Sequence, residues 1–262
     1  MIYLIAVVVC SFYTAGFYKA WQTREGTTRN KLVAWFMLGG LAAHTYFTQT
    51  VLFSVADAQL SLLYVINLLA LIMTTVVTLV SFRLPIDRLL ILIIPLDLLV
   101  FLIALIVEPG TSSSPKLLGP LLAHILLSLA AYSALMLAAF QSILLAVLDR
   151  QLKSPRRRTV RWLPPLETME QLLLAMLWIG FGLLTLSITS GFLFLEDMFA
   201  QRVSHHIVIT SLSWAVYVFF LAGRYLFGWR GLTAVRWTLV AFTLLVIGYL
   251  GSKFVLEYLL SQ

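Results

Sequence analysis

Eight apolar stretches, each close to the length of a membrane-spanning helix, run through the 262 residues of this chain. A helix needs roughly 20 apolar residues to cross the hydrocarbon core of a bilayer. A soluble domain is excluded, since only 11% of the residues are charged, against about 25% in soluble proteins. The sequence therefore predicts an all-α, polytopic membrane helix bundle with about eight transmembrane helices. The predicted spans are residues 2–18, 32–53, 59–81, 89–107, 118–148, 170–194, 206–227 and 233–256.

The basic residues predict the orientation of these spans. Fifteen of the eighteen Lys and Arg residues fall on one predicted side of the membrane, and an excess of Lys and Arg marks the cytoplasmic side. Both termini are therefore expected outside, with the basic loop 149–169 in the cytoplasm. We expect a multi-pass protein of the bacterial inner membrane, with residues 1–262 as a single transmembrane domain. The net charge of +7 then indicates contact with anionic lipid head groups rather than with nucleic acid.

All four histidines are predicted to lie in the outer third of the membrane. The helical rise places His44 roughly 20 Å above the cytoplasmic edge, and His124 roughly 9 Å below the outer face. His205 and His206 begin the seventh span at that face. Two histidines at equal depth on facing helices suit the two axial positions of a haem iron, and imidazole also binds Zn, Cu or Ni. The alternative is that each histidine only donates a hydrogen bond to a neighbouring helix or reaches the interface.

Other polar residues give weaker indications. Asp97 lies near the middle of the fourth span, and Asn67 lies at comparable depth in the third. A structural hydrogen bond is favoured for Asp97, with a proton or ion pathway as the alternative, since transporters usually show several such groups or broken helices. The single cysteine, Cys10, excludes a disulfide within the chain. No hydrolase or phosphate-loop motif is present, so the sequence predicts a protein that is not an enzyme.

The C-terminal part of the sequence resembles the CcsA/CcmC-type cytochrome c assembly proteins, and within them the short YpjD-type inner membrane branch. The likeness is strongest over residues 118–256. The fifth span resembles the family helix that bears a histidine. The other matching features are Trp214, Leu221–Arg224, the Gly228-Trp229-Arg230-Gly231 loop and Tyr249-Leu250-Gly251. The resemblance implies a polytopic membrane protein that handles haem on its way to apocytochrome c.

The resemblance also implies which residues would hold haem b. His124 matches a family haem-ligand position, and His44 is a weaker match to a second one. The sequence departs from the family at residues 194–209, where a tryptophan-rich segment flanked by histidines is expected and no tryptophan occurs. Ala222 stands where a family histidine is often found.

Two functions from different classes remain open at this point. In the first, the protein binds haem through His124 and His44, with His205 and His206 replacing the missing tryptophan-rich segment. In the second, it is a haem-free accessory or scaffolding subunit of a membrane transporter or assembly complex. The loop 149–169 is then a docking surface for other membrane proteins.

Overall fold

The described part of the chain is helical almost throughout. The computed structural model describes residues 2–22, 31–53, 62–82, 87–106, 119–153, 163–194 and 204–251. Within these ranges there are eight α-helices and one short π-helical turn. They are α1 (Ile2–Gln22), α2 (Lys31–Phe53), α3 (Leu62–Ser81), α4 (Asp87–Ile106), α5 (Gly119–Leu152), α6 (Leu166–Phe194), α7 (Ser204–Phe227), α8 (Leu232–Val246) and the π turn Ile247–Gly251.

These helices confirm the predicted all-α membrane bundle. Seven of the described helices are long and apolar enough to cross a membrane. The other is α2, which is 23 residues long, enough for about 34 Å of helix. Its C-terminal half carries several polar side chains, including His44 and Thr48, which lower its hydropathy. The expected extra length of the fifth span is also confirmed, since α5 has 34 residues. The placement of both termini outside stays a prediction.

The chain divides into two compact units of four helices each. The first unit comprises residues 1–116 and 161–164, and the second comprises residues 117–160 and 165–262. In the first unit α1 packs against α2 and α4, and α3 also packs against both. In the second unit α5 packs against α6 and α8, and α7 packs against the same two helices. Each unit is therefore a closed ring of four helices around its own core. That residues 1–262 form a single transmembrane domain stays a prediction.

Glycines let helices approach closely in both units, as the sequence predicts for small residues in a membrane. A Cβ atom on Gly40 of α2 would lie 2.4 Å from ring carbons of Tyr13 on α1. In the second unit a Cβ on Gly180 of α6 would lie 2.6 Å from Leu135 Cδ2 on α5. These close approaches fix the register of the α1–α2 and α5–α6 pairs.

The connection between α7 and α8 is a tight turn over residues 228–231. Gly228 and Gly231 have φ angles of 67° and 57°, in the left-handed region that favours glycine. Arg224 Nη1 donates a hydrogen bond to the backbone oxygen of Trp229 at 2.8 Å. The Gly231 backbone nitrogen donates to Glu170 Oε1 on α6 at 2.9 Å. The loop on which part of the family resemblance rests is therefore a defined structure tied to two helices.

Candidate functional site

A cluster of buried polar side chains lies inside the first unit, and each of its four helices contributes to it. Every member is buried, so each polar group needs a partner within the protein. The members are Tyr13 of α1, His44 and Thr48 of α2, Asn67 and Thr74 of α3, and Asp97 of α4. We refer to these six residues as the first-unit cluster.

His44 is the centre of this cluster. Its ring nitrogen Nε2 lies 3.0 Å from Asn67 Oδ1. Its other nitrogen, Nδ1, lies 3.2 Å from the Tyr13 hydroxyl and 3.7 Å from Asp97 Oδ1. The side chain is 0% exposed, and the Phe101 ring packs edge-on against it with a centroid distance of 4.9 Å. Both ring nitrogens therefore face protein partners.

The hydrogen bonds around Asn67 decide which nitrogen of His44 carries a proton. Thr48 Oγ1 donates its only hydrogen to the backbone oxygen of His44 at 2.9 Å, so it can only accept from Asn67. Asn67 Nδ2 donates to Thr48 Oγ1 at 3.2 Å, which turns Asn67 Oδ1 toward His44. Because an amide oxygen is only an acceptor, His44 Nε2 must donate to it. The network thus assigns a hydrogen to Nε2.

Asp97 of α4 is held by a hydrogen bond from α3. Thr74 Oγ1 donates a hydrogen bond to Asp97 Oδ2 at 2.5 Å, which confirms the structural hydrogen bond predicted for this residue. Asp97 Oδ1 has no hydrogen-bond partner among the described residues, and it lies 3.7 Å from His44 Nδ1. The carboxyl group is therefore anchored through one oxygen, with the other directed at the histidine.

Sequence reasoning identified His44, Asn67 and Asp97 separately but did not place them together, and it missed Tyr13. A signal for Tyr13 was present. It lies in the middle of α1, away from the span ends where tyrosines usually collect. Its hydroxyl at that depth needs a buried partner.

His124 belongs to the second unit, in the second turn of α5. Its Nδ1 lies 2.8 Å from Ser190 Oγ, in the last turns of α6. One turn further along α5, Ser128 Oγ lies 2.7 Å from Ser187 Oγ. The His124 side chain is half-buried. These paired contacts show that α5 and α6 run antiparallel, with the start of one beside the end of the other.

The helix that carries the other two histidines, α7, packs on a different face of α6 from α5. The Trp214 indole nitrogen of α7 donates to Thr185 Oγ1 at 2.9 Å, and its ring stacks on Phe181 at a centroid distance of 5.9 Å. His205 and His206 lie in the first turn of α7, and their side chains lie outside the described residues. With α6 and α7 antiparallel, the first turn of α7 lies at the same end of the second unit as His124.

The two leading ligand candidates, His124 and His44, thus have different surroundings in the structure. Iron-ligating histidines usually donate one ring N–H to a neighbour and bind the metal through the other nitrogen. His124 fits this pattern, with Ser190 holding Nδ1. His44 does not, because Asn67 stands at Nε2 and Tyr13 at Nδ1. The Tyr13 ring also fills the space beside Gly40. Among the described residues no three His, Cys, Asp or Glu side chains gather into a metal-binding group.

The fold and the site define this chain as a polytopic membrane helix bundle with polar clusters inside the spans. The family model described as "Cytochrome C assembly protein" matches residues 30–260, and the chain belongs to that family. It is 30% identical over 197 residues to the inner membrane protein YpjD of Escherichia coli strain K12, which covers 75% of each chain. The YpjD proteins of Escherichia coli O6:H1 and O157:H7 match to the same extent.

These relatives confirm the family recognised from the sequence and the predicted localisation, a multi-pass protein of the inner membrane. No solved structure is found to be similar to the chain.

Proposed function

We propose that this protein is a haem-handling membrane protein that holds haem b at the end of the second unit where His124 lies. The observation that carries the proposal is the His124–Ser190 contact of 2.8 Å. Ser190 Oγ donates its hydrogen to the Ser187 backbone oxygen, so it accepts from His124 Nδ1, and Nε2 carries the lone pair that would take the iron. Neutral imidazole is the usual protein ligand of haem iron. Membership of the cytochrome c assembly family supports haem as the bound group.

The remaining residues of this end have distinct roles in the proposal. Ser190 orients the ligand ring, as outer-shell partners of metal-bound histidines do. His205, with His206 beside it, supplies an outer ligand or a gate from the first turn of α7. The Ser128–Ser187 contact closes the α5–α6 interface one turn along α5 from His124, and the start of α7 would supply the other residues that hold haem. When bound, haem supplies the iron and its redox chemistry, and the protein makes and breaks no bonds of its own.

Haem ligation in this proposal does not use His44. Iron binding at either nitrogen would require the ring to lose the partner that now faces it, Asn67 or Tyr13. The prediction that His44 and His124 clamp one haem stays a prediction from the sequence, and the contacts of His44 favour a different role.

Optical spectroscopy of the purified protein tests the proposal. We expect a Soret band from protein made in haem-replete cells, and we expect His124→Ala to remove most of it. His44→Gln is the discriminating control, because it changes a histidine outside the proposed site and should leave the band unchanged. A colourless wild-type protein that does not take up added haemin would refute haem binding.

A second candidate is a haem-free accessory subunit of a membrane assembly or transport complex. The absence of tryptophan from residues 194–209 favours it, because the family members that deliver haem carry a tryptophan-rich segment at this place. The basic loop 149–169 would then dock a membrane protein partner, and its residues 154–162 lie outside the described residues. Co-purification of a stoichiometric partner that persists in His124→Ala would support this candidate.

A further inference from the structure

The first-unit cluster contains three titratable side chains that no part of the haem proposal uses, namely Tyr13, His44 and Asp97. His44 and Asp97 are both 0% exposed, and the atoms His44 Nδ1 and Asp97 Oδ1 are 3.7 Å apart. Both residues lie in helices that cross the membrane, so no bulk water is available to solvate a charge. An unpaired charge in such a place is strongly disfavoured.

Charge neutrality limits the pair to one shared proton. With that proton on Asp97, the carboxyl group and the imidazole are both neutral. With the proton on His44 Nδ1, a carboxylate faces an imidazolium and the charges cancel. Any other proton count leaves a net charge buried among apolar residues such as Phe47 and Phe101. Both allowed forms keep the hydrogen on Nε2 that Asn67 requires.

The side-chain groups that face the pair from the neighbouring helices are neutral in both forms. From α1 the titratable group is the Tyr13 hydroxyl. From α3 the facing groups are the Asn67 amide and the Thr74 hydroxyl. The only titratable partners of His44 and Asp97 recorded in the described residues are therefore each other and Tyr13.

Tyr13 lies beside the nitrogen that faces the carboxyl group. Its hydroxyl lies 3.2 Å from His44 Nδ1, and the same nitrogen lies 3.7 Å from Asp97 Oδ1, which has no hydrogen-bond partner among the described residues. The direct distance of 3.7 Å between Nδ1 and Oδ1 is too long for a hydrogen bond. A proton leaving the carboxyl O–H bond can instead form a new O–H bond on Tyr13. The original Tyr13 hydrogen then forms an N–H bond at Nδ1, leaving a carboxylate and an imidazolium.

We propose that His44, Asp97 and Tyr13 form an intramembrane proton-binding site in the first unit. The bound species is a single proton, shared between Asp97 Oδ1 and His44 Nδ1 through the Tyr13 hydroxyl. Thr74 anchors the carboxyl group, and Asn67 fixes the ring. The site is independent of haem binding, so either proposal can fail without the other.

Infrared spectroscopy of the full-length, haem-free protein in lipid nanodiscs tests this site. We expect the C=O stretching band of one buried carboxylic acid, sensitive to D₂O and absent in Asp97→Asn. His44→Gln should shift the band because the shared partner is gone, and Tyr13→Phe should shift it because the bridge is gone. Asp149→Asn is the matched control. Asp149 pairs with Lys153 at 2.8 Å at the end of α5, so its loss should leave the band unchanged.

The variants also identify where the proton resides. If the proton resides on His44, the band is missing in the wild type and appears in His44→Gln. It then disappears again in the double variant that also carries Asp97→Asn. This result supports the shared proton. A band unaffected by both His44→Gln and Tyr13→Phe would overturn the proposal, since the proton would then belong to Asp97 alone. The same band in Asp97→Asn and the wild type would also overturn it. Tyr13→Phe keeps the ring beside Gly40, so it tests the chemistry with little change in packing.

Discussion

At the scale of single residues, two histidines of similar predicted depth have different surroundings. His44 is enclosed by polar groups from three other helices, whereas His124 is half-buried and held by a serine. Depth alone therefore does not separate a ligand from a core residue in a membrane. The hydrogen-bond partners of both ring nitrogens have to be known as well, because iron must bind one of them.

The Asn67 amide is expected to be a stabilising link of the first unit. Asn67→Leu keeps the approximate volume but leaves the Nε2–H of His44 without an acceptor. A buried polar group left unsatisfied costs about 1–3 kcal/mol, so the free energy of unfolding should fall by about that amount. Thr75→Val on the same helix is the control, because the Thr75 hydroxyl only bonds the Leu71 backbone oxygen. If Asn67→Leu and Thr75→Val had the same free energy of unfolding in detergent, the hydrogen bond assigned between His44 and Asn67 would be contradicted.

Ser190 should control haem affinity if His124 is the ligand. Ser190→Ala removes the hydrogen-bond partner of Nδ1 that orients the His124 ring. Loss of such an outer-shell partner typically costs about 10–100-fold in metal affinity, and haemin titration of purified protein measures it. Thr189→Ala is the matched neighbour, since the exposed Thr189 hydroxyl bonds only the Thr185 backbone oxygen. Haemin affinity that is unchanged in Ser190→Ala would argue against this orientation of His124.

At the scale of helices, the apolar runs predict most of the structure because the bilayer sets the span length. The predicted span 32–53 and the observed helix Lys31–Phe53 differ by one residue, and the other spans also correspond to helices. The exception is α2, which has a lower mean hydropathy because two of its polar residues, His44 and Thr48, lie in the buried cluster. Which helices pack together could not be predicted. A glycine such as Gly40 indicates a close approach between helices, but it does not identify the side chain that fills the space beside it.

Helix packing in the second unit can be tested with two glycines of α6. Gly180→Ala places a Cβ against Leu135 of α5, 2.7 Å from Cγ and 3.2 Å from the backbone nitrogen. Overpacking of this kind costs about 1–3 kcal/mol, so thermal unfolding in detergent should occur at lower temperature. Gly182→Ala, two residues away, meets no atom within 4 Å and should be neutral or slightly stabilising. The packing would be incorrect if Gly182→Ala were the more harmful change.

At the scale of the whole molecule, the sequence predicts the number of helices better than their grouping. Eight apolar runs define eight helices, but nothing in their order shows that α1–α4 and α5–α8 close into separate rings. The residues of the candidate sites are likewise only partly predictable from the sequence. The sequence predicts His124 and the start of α7 at one end of the membrane, whereas the contacts of His44 depend on which helices surround it. Local composition therefore predicts depth, and tertiary packing decides partners.

The orientation of the whole chain follows from its basic residues and can be measured with single cysteines. In a Cys10→Ser background the chain has no other cysteine, so one new thiol can be introduced at a time. Fifteen of the eighteen basic residues mark the cytoplasmic side, which places Ser113 outside and Ser154 inside. A membrane-impermeant maleimide added to intact spheroplasts should label Ser113→Cys strongly and Ser154→Cys only after lysis. Trp214→Cys, within α7, serves as the control for a thiol inside a span and should label weakly in both conditions. The reverse pattern would invert the topology and move His124 to the cytoplasmic half of the membrane, where haem handling for an outer-face reaction would no longer fit.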